Sequence, residues 1–195
     1  MNIAQQSEET HQPEVNHQIQ ETHQSEVFQQ SEEIQQSEEI QQSEETRQSE
    51  QEAFIKITKN VSQVGLDEEG TFKYILVQLT GNNNQEFYFV RGFKKYGYHA
   101  QNFEHFCNEV KNNLKWSDFN FDLEEGKIKL QLDGHKFKFK CLGGGRIKHS
   151  FIEQSIEIYG YSWLYGQCDH KISLNAIKTV YPYLDQNVIT RNDGY

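Results

Sequence analysis

Two predicted strands lie within residues 72–90, FKYILVQLTGNNNQEFYFV. The first run, 72–79, is rich in β-branched and aromatic residues, which favour strands because they pack well on a pleated surface. The second run, 86–90, has the same character. The glycine and asparagines at 81–84 are residues that turns prefer. The segment therefore predicts a strand, a tight turn and a returning strand.

Two segments further along the chain have helical features. Residues 100–115 are predicted to be helical, because their large apolar side chains recur at i, i+3, i+4, i+7 and i+11 and form a single stripe. A second helix is predicted to begin at Ser173, a good N-cap, and to end at Pro182. Another strand is predicted at 155–162. Strands with only two scattered helices are typical of an α+β domain rather than of repeated βαβ units. The apolar stripe of the first predicted helix, residues 100–115, consists of Phe103, Phe106, Cys107, Val110 and Leu114.

A lysine-rich hairpin is predicted over residues 127–140, KIKLQLDGHKFKFK. Asp133-Gly134 between two alternating runs is a strong signal for a two-residue turn, which would place Leu130 opposite Phe137 and Ile128 opposite Phe139. Like charges that face each other destabilise a sheet, so the other face must lie in water or against an anion. That face carries Lys127, Lys129, Lys136, Lys138 and Lys140.

The charge balance argues against nucleic acid as a partner of this lysine face. Residues 53–195 hold eighteen Lys and Arg and sixteen Asp and Glu, a net charge of +2. A nucleic-acid-binding domain usually has a much stronger basic footprint. A solvated face whose lysines prevent edge pairing is therefore favoured. The second strand continues through three glycines at 143–145, which predict a bulge or bend.

The first 52 residues have a different composition from the rest. They hold thirteen Glu and one Arg, a net charge of −12, in eight hexads of the QQSEET type that begin at Gln5. In a helix, every sixth position would lie 120° from the last, so the few apolar residues would scatter around the axis. Low hydrophobicity and high net charge predict a disordered acidic tail over residues 1–52. A transient helix and a Gln-rich assembly segment are the alternatives.

Several classes of protein are excluded by what the sequence lacks. No apolar run approaches the ~20 residues that cross a bilayer, and the N-terminus does not resemble a secretory signal. Cys107, Cys141 and Cys168 are an odd number at scattered spacings, which fits free thiols in a reducing compartment. We therefore predict a cytoplasmic protein without membrane contact. Paired zinc-ligand spacings and a Walker phosphate loop do not occur, so no metal and no cofactor are predicted.

Two residues could supply a nucleophile or a base. Cys141 and Arg146 flank the three glycines, but they are one residue closer than in the Cys-x5-Arg signature of cysteine phosphatases, and the segment is predicted to be a strand. His99 lies at the start of the striped helix, where the helix macrodipole disfavours an imidazolium ion. A neutral imidazole near pH 7 is what a general base needs, so His99 is the better candidate.

Six short motifs then follow one another along the chain. They are Phe72-Lys73-Tyr74; Arg91-Gly92-Phe93 with Tyr98-His99-Ala100; CLGGGRI at 141–147 with His149; Tyr159-Gly160-Tyr161-Ser162 with Tyr165-Gly166; His170 with Ile172-Ser173; and Asn192-Asp193-Gly194-Tyr195. Each motif is weak alone, but in this order and spacing they resemble the phosphohistidine phosphatase family, also called janus/ocnus. The resemblance covers about residues 61–116 and 139–195.

The resemblance implies a single α/β domain over residues 53–195, with a mixed sheet and a helix on each side. It also implies metal-independent hydrolysis of phosphohistidine in proteins, with no cofactor, by a monomer. The family's catalytic histidine falls on His99 and its phosphate-binding lysine on Lys73. Its phosphate-gripping loop, a serine side chain with two backbone amides, falls on Ser162, Trp163 and Leu164. Two family arginines, important for activity or for the shape of the site, fall on Arg91 and Arg146. Both are predicted to bind phosphate, and a structural ion pair is the alternative for either.

Three features depart from the family pattern. Residues 117–138 are an insertion that includes most of the lysine hairpin, Trp163-Leu164 is bulkier than expected, and the acidic tail is not a family feature. Two functions therefore stay open. One is a protein-histidine phosphatase whose partners are phosphohistidine-containing proteins. The other is a catalytically weak regulatory module that binds phosphorylated partners. Whether His99 activates water or itself receives the phosphoryl group is also open.

Overall fold

A computed structural model describes residues 13–81, 84–115, 120–184 and 187–192. Within these residues the chain forms three helices and eight strands, so the predicted mixed α/β class is confirmed and one more helix is present than the sequence predicts. In chain order the elements are α1 (Pro13–Asn60), β1 (Val64–Leu66), β2 (Glu69–Thr80), β3 (Glu86–Gly92), α2 (His99–Asn113), β4 (Asn120–Asp122), β5 (Lys127–Leu132), β6 (His135–Ser150), β7 (Ser155–Tyr159), α3 (His170–Val180) and β8 (Asn187–Thr190).

The described strands form one open, mixed sheet. The long strand β2 pairs antiparallel with β3 on one side and with β6 on the other, so the predicted pairing within 72–90 is confirmed. Strand β1 adds to β3 in parallel, and β8 adds to β7 in parallel. Strand β6 pairs antiparallel with both β5 and β7, and β5 with β4.

Strand β6 has two different neighbours along one of its edges. Its first part pairs with β5 in the predicted register, Leu130 with Phe137 and Ile128 with Phe139. Its last part, 146–150, pairs with β7. Between the two parts lie the three glycines, and the register of β6 against β2 shifts at Leu142, immediately before them, so a bulge adjoins the predicted position. An isolated bridge joins Gly144 to Gln167 in this interval.

The two faces of the sheet carry separate cores. Side chains alternate along a strand, so Ile75 of β2 belongs to one core and the next residue, Leu76, to the other. The first core includes Phe106 of α2 and Phe54 of α1. The second includes Ile177 of α3. The predicted arrangement, with a helix on each side of the sheet, is therefore confirmed.

The chain divides into two units, residues 1–48 and 49–195. Residues 13–52, for which the sequence predicts a disordered tail, are helical, and residues 1–12 lie outside the described chain. Gln and Glu lose little side-chain freedom in a helix and have good helix propensity. Where the side chains of the hexads are described, from residue 28 on, the apolar residues at every sixth position are exposed and form no buried stripe. These are Phe28, Ile34 and Ile40.

The last turns of α1 belong to the second unit. Ala53, Phe54 and Ile57 are buried in the first core, and the ring of Phe54 lies 6.2 Å from that of Phe137 on the hairpin. The domain therefore begins at Ser49 rather than at the predicted residue 53. The change in composition lies inside a continuous helix, which explains why it does not mark the boundary.

Helix α3 begins earlier than the sequence predicts. Its N-cap is Asp169, whose carboxylate accepts a hydrogen bond from the amide of Lys171 at 2.8 Å. The predicted N-cap, Ser173, is wrong, since it is buried inside the first turn. A carboxylate caps a helix as well as a hydroxyl does, and Asp169 precedes Ser173 in the chain. The helix ends at Val180, before Pro182, as predicted.

We predict that the end of α1 is needed for the stability of the domain. Phe54→Ala should lower the free energy of unfolding by about 3–5 kcal/mol, because it removes a buried aromatic ring and leaves a cavity. Ile55→Ala, on the exposed side of the same turn, should change it by no more than about 0.5 kcal/mol. Urea unfolding of both variants tests this, and equal effects would contradict the packing of α1 on the sheet.

Candidate active site

His99 is the first residue of α2, and only 7% of its surface is exposed. Its Nε2 lies 3.0 Å from the carbonyl oxygen of Gly145. A carbonyl oxygen can only accept, so Nε2 carries the proton and donates it in this hydrogen bond. The lone pair of the neutral ring is therefore on Nδ1. The fold thus selects one tautomer of His99 and fixes the ring's orientation on β6.

The electrostatic surroundings keep His99 neutral. Burial lowers the pKa of its imidazole below the ordinary 6.5, and the positive charges of Lys73 and Arg146 lower it further. The hydrogen bond to Gly145 acts in the opposite direction without overcoming them. The position at the N-terminus of a helix also disfavours the charged ring. At pH 7 the lone pair of Nδ1 is therefore available to accept a proton.

Lys73 and Arg146 lie side by side on the face of the sheet that α2 covers. They are directly paired across β2 and β6. Both are half-buried. The ammonium group of Lys73 lies 5.1 Å from the centre of the Tyr98 ring, just before His99. The structure therefore brings together three of the predicted site residues, two cations and a neutral imidazole.

The three glycines make this close approach sterically feasible. A Cβ atom on Gly144 would lie 2.1 Å from the carbonyl oxygen of Tyr74 and 3.0 Å from Cδ2 of His99. A Cβ atom on Gly145 would lie 2.4 Å from the carbonyl oxygen of Tyr159. A larger residue at Gly144 would push β6 away from β2 and α2, and one at Gly145 would push it away from β7. The predicted close approach of backbone at the glycines is therefore confirmed.

Ser162 closes a tight turn after β7. Its amide donates to the carbonyl of Gly166 at 3.0 Å, and the amide of Gly166 donates back to the carbonyl of Ser162 at 2.8 Å. The Ser162 hydroxyl oxygen accepts from the amide of Tyr165 at 3.1 Å. Ser162 is buried, whereas Trp163 and Leu164 at the tip are exposed. The turn, residues 162–166, therefore has a rigid base and an exposed tip.

The turn at 162–166 docks on the same strand as His99. The amide of Gly144 donates to the carbonyl of Gly166 at 3.1 Å. A Cβ atom on Gly143 would lie 2.7 Å from that same carbonyl oxygen. Because Gly144 and Gly145 also contact the ring of His99, the turn and the imidazole share one support. The structure thus assembles the predicted loop, histidine, lysine and Arg146 around the bulge of β6.

The profile of the Janus/Ocnus family matches residues 58–185. The chain belongs to the Janus/Ocnus family. It is 32% identical to the 14 kDa phosphohistidine phosphatase of Homo sapiens over 135 residues, 69% of this chain and 94% of the human protein. It is 31% identical to the sex-regulated protein janus-A of Drosophila pseudoobscura pseudoobscura over 137 residues, 68% of this chain and 76% of that protein.

Arg91 has a different environment from the other predicted residues of this Janus/Ocnus site. Its guanidinium forms a bidentate pair with the carboxylate of Glu109 on α2, at 2.8 and 2.9 Å. Its remaining N–H groups donate to the carbonyls of Val90, Gln63 and Ser62. All five donors thus have acceptors within the protein, and the side chain is 1% exposed. We therefore correct its predicted phosphate-binding role to a structural one.

Two polar residues near the site are missed by sequence reasoning. Asn102, one turn after His99, accepts from the amide of Phe93 and donates to the carbonyl of Lys73, both at 3.2 Å. His170 accepts a hydrogen bond at Nδ1 from the hydroxyl of Tyr74 at 2.6 Å, and its Nε2 donates to the carbonyl of Gly160 at 3.0 Å. A buried asparagine beside an apolar helical stripe was the available signal for the first. For His170 the signal was its place in the fifth of the six motifs, to which the sequence attached no role.

Cysteine chemistry is not favoured by the structure. Cys141 is 5% exposed, and burial raises the pKa of its thiol far above the usual range. A nucleophilic cysteine needs a lowered pKa and access to solvent. Among the described residues there is also no group of three or more His, Cys, Asp or Glu that could hold a metal ion. Within the same residues, no helix is long and apolar enough to span a membrane.

We predict that the pKa of His99, measured by NMR titration, lies below 6.5. Lys73→Met should raise it, because removal of a nearby positive charge favours the imidazolium ion. His105, on the same helix, is the control. Burial and the charge of Lys95 lower the pKa of its ring, so Lys73→Met should leave the pKa of His105 unchanged. A pKa of His99 above 6.5, or a pKa that does not change in Lys73→Met, would contradict the electrostatic description.

We also predict that Arg91 stabilises the fold, whereas Arg146 contributes to phosphate binding. Arg91→Met should destabilise the domain by roughly 3–5 kcal/mol, because it leaves the carboxylate of Glu109 without its buried partner. Arg146→Met should weaken the binding of inorganic phosphate, because it removes a positive charge beside His99 and Lys73. Urea unfolding and phosphate titration of both variants separate the roles. A stable Arg91→Met protein with weakened phosphate binding would restore the predicted role of Arg91.

Proposed function

We propose that this chain is a protein-histidine phosphatase, which hydrolyses the P–N bond of phosphohistidine in proteins. The observation that carries the proposal is the neutral, oriented imidazole of His99 beside Lys73 and Arg146. A base and two cations at one point suit hydrolysis of a dianionic phosphoryl group. The likeness to a protein named 14 kDa phosphohistidine phosphatase supports the same reaction.

The phosphoryl oxygens bind between the cations and the turn at 162–166. Lys73 and Arg146 offset the negative charge, and charge-assisted hydrogen bonds of this kind are stronger than neutral ones. The hydroxyl of Ser162 and the backbone amides of Trp163 and Leu164 contribute further donors. Because the turn's base and β6 are already hydrogen-bonded, little reorganisation accompanies binding, which is what electrostatic stabilisation of a transition state requires. The protein's own cations supply this stabilisation, so we propose a metal-independent reaction.

His99 acts as the general base. Nδ1 takes a proton from a water molecule as its oxygen forms a bond to phosphorus. The P–N bond breaks in line with this attack, and its electron pair stays on the departing imidazole nitrogen, which takes up a proton. The low pKa of His99 has a direct consequence for pH dependence. The rate falls as the pH drops through that pKa, so the acid limb of the profile lies below pH 6.5.

A phosphorylated His99 is the competing mechanism. In that case Nδ1 attacks phosphorus directly and water later hydrolyses the phosphoryl-His99. Rapid acid-free quenching with labelled substrate separates the two mechanisms, because only the second transfers label to the protein. The substrates on either mechanism are phosphohistidine-containing proteins. We place the enzyme in the cytoplasm as a monomer, and the three buried free thiols support a reducing compartment.

We predict that the wild type releases phosphate from a phosphohistidine peptide in the presence of EDTA and that His99→Ala loses at least about a hundredfold of this activity. His105→Ala, on the same helix and outside the site, should keep it. Phosphotyrosine and phosphoserine peptides should not be hydrolysed. A folded wild type that binds phosphohistidine peptide without releasing phosphate would instead favour the regulatory module, a reading compatible with the likeness to janus-A.

A further inference from the structure

Three large apolar side chains surround the tip of the turn after β7. Trp163 is 76% exposed, Leu164 52% and Tyr161 38%. The rings of Tyr161 and Trp163 lie 5.9 Å apart, centre to centre. We call Tyr161, Trp163 and Leu164 the apolar lip. Large exposed apolar clusters are unusual on monomeric proteins and mark binding surfaces, and tryptophan and tyrosine dominate the energetics of such surfaces.

The apolar lip is held in place by the base of its own turn. Ser162 is 1% exposed and is bridged to Gly166 in both directions, and Gly166 is in turn bonded to the amide of Gly144 on β6. The hydroxyl of Tyr165 donates to the carbonyl of Leu123 at 2.6 Å, which ties the other side of the turn to the segment before β5. A rigid support reduces the entropy lost when a ligand is bound. The lip is therefore preorganised even though its side chains face outward.

Position decides what the lip contacts. Its residues include the two whose backbone amides we assign to the phosphoryl group, and the base of the turn shares Gly144 with the ring of His99. A polypeptide with its phosphohistidine in the site must leave the site in two directions, and each extended residue advances the chain by only about 3.3–3.6 Å. The residues next to the phosphohistidine are therefore within reach of the lip.

We infer that the apolar lip is a subsite that selects substrates with a large apolar residue next to the phosphohistidine. This inference rests on the proposed function, because it assigns the substrate of the same site. The chemistry of the lip determines the preference: an indole, a phenol ring and a leucine side chain gain little from a charged or amide neighbour. They remove apolar surface from water when a leucine or an aromatic ring packs against them.

The test compares two phosphohistidine peptides that differ at the flanking positions, Leu in one and the near-isosteric Asn in the other. The wild type should hydrolyse the Leu peptide with a kcat/KM roughly tenfold higher, mostly through a lower KM. Trp163→Ala should reduce this ratio to about two or less, and Trp163→Phe should largely retain it. Phe151→Ala, which removes another exposed ring outside the site, is the matched control and should leave the ratio unchanged.

Two results would overturn the inference. One is a wild type that hydrolyses both peptides equally, and the other is a Trp163→Ala protein that keeps the full ratio. Sedimentation adds a third readout: if Trp163→Ala abolishes a dimer but leaves the ratio intact, the lip binds a second copy of this chain rather than substrate.

The inference can fail separately from the proposed function. If no phosphohistidine peptide is hydrolysed, the proposed reaction is wrong, and peptide affinity then decides the role of the lip. Calorimetry with His99→Ala, which leaves the labile phosphohistidine intact, should give tighter binding of the Leu peptide. His99→Ala combined with Trp163→Ala should lose that difference. Equal affinities for the two peptides, or no binding of either, would overturn the subsite.

Discussion

The contact between the three glycines of β6 and their neighbours is the constraint on which the rest of the site depends. At Gly144 the backbone of β6 comes so close to Tyr74 and His99 that no side chain fits. At Gly145 the same strand accepts the proton of His99 Nε2. The glycines therefore allow the close approach of β2 and β6, and the carbonyl of Gly145 selects the tautomer of the imidazole. The same glycines also receive the turn at 162–166, because the amide of Gly144 bonds to Gly166.

The charged residues near these glycines have two different kinds of environment. Arg91 uses all its donors to join β3, α2 and the segment before β1, so its charge is offset within the fold. Lys73 and Arg146 instead lie half-buried beside His99 and lower the pKa of its ring. Burial of the ring and the two nearby positive charges all lower the pKa of His99. Perturbed pKa values of this kind are typical of functional sites.

Much of the architecture is readable along the chain. Alternation in 127–140 around Asp133-Gly134 specified both the hairpin and its register, because a two-residue turn leaves only one pairing. The apolar stripe of 100–115 located α2 and the face it buries. The predicted start of α3 was wrong because two residues could cap the helix, and Asp169, which comes before Ser173 in the chain, forms the cap. In the hexad segment, the helix propensity of Gln and Glu opposed the composition that predicted disorder.

The candidate site shows the same contrast between what the sequence determines and what depends on the folded structure. The sequence by itself determined which residues could carry the chemistry, since order and spacing of short motifs identified His99, Lys73, Arg146 and the turn at Ser162. Only the tertiary structure decided the surroundings of each of them. Residues far apart in the chain acquire a proton, a partner or a shifted pKa solely through the atoms that surround them after folding. Arg91 and Arg146 are the same residue type in similar motifs, yet one meets a carboxylate and three carbonyls while the other lies across the sheet from Lys73.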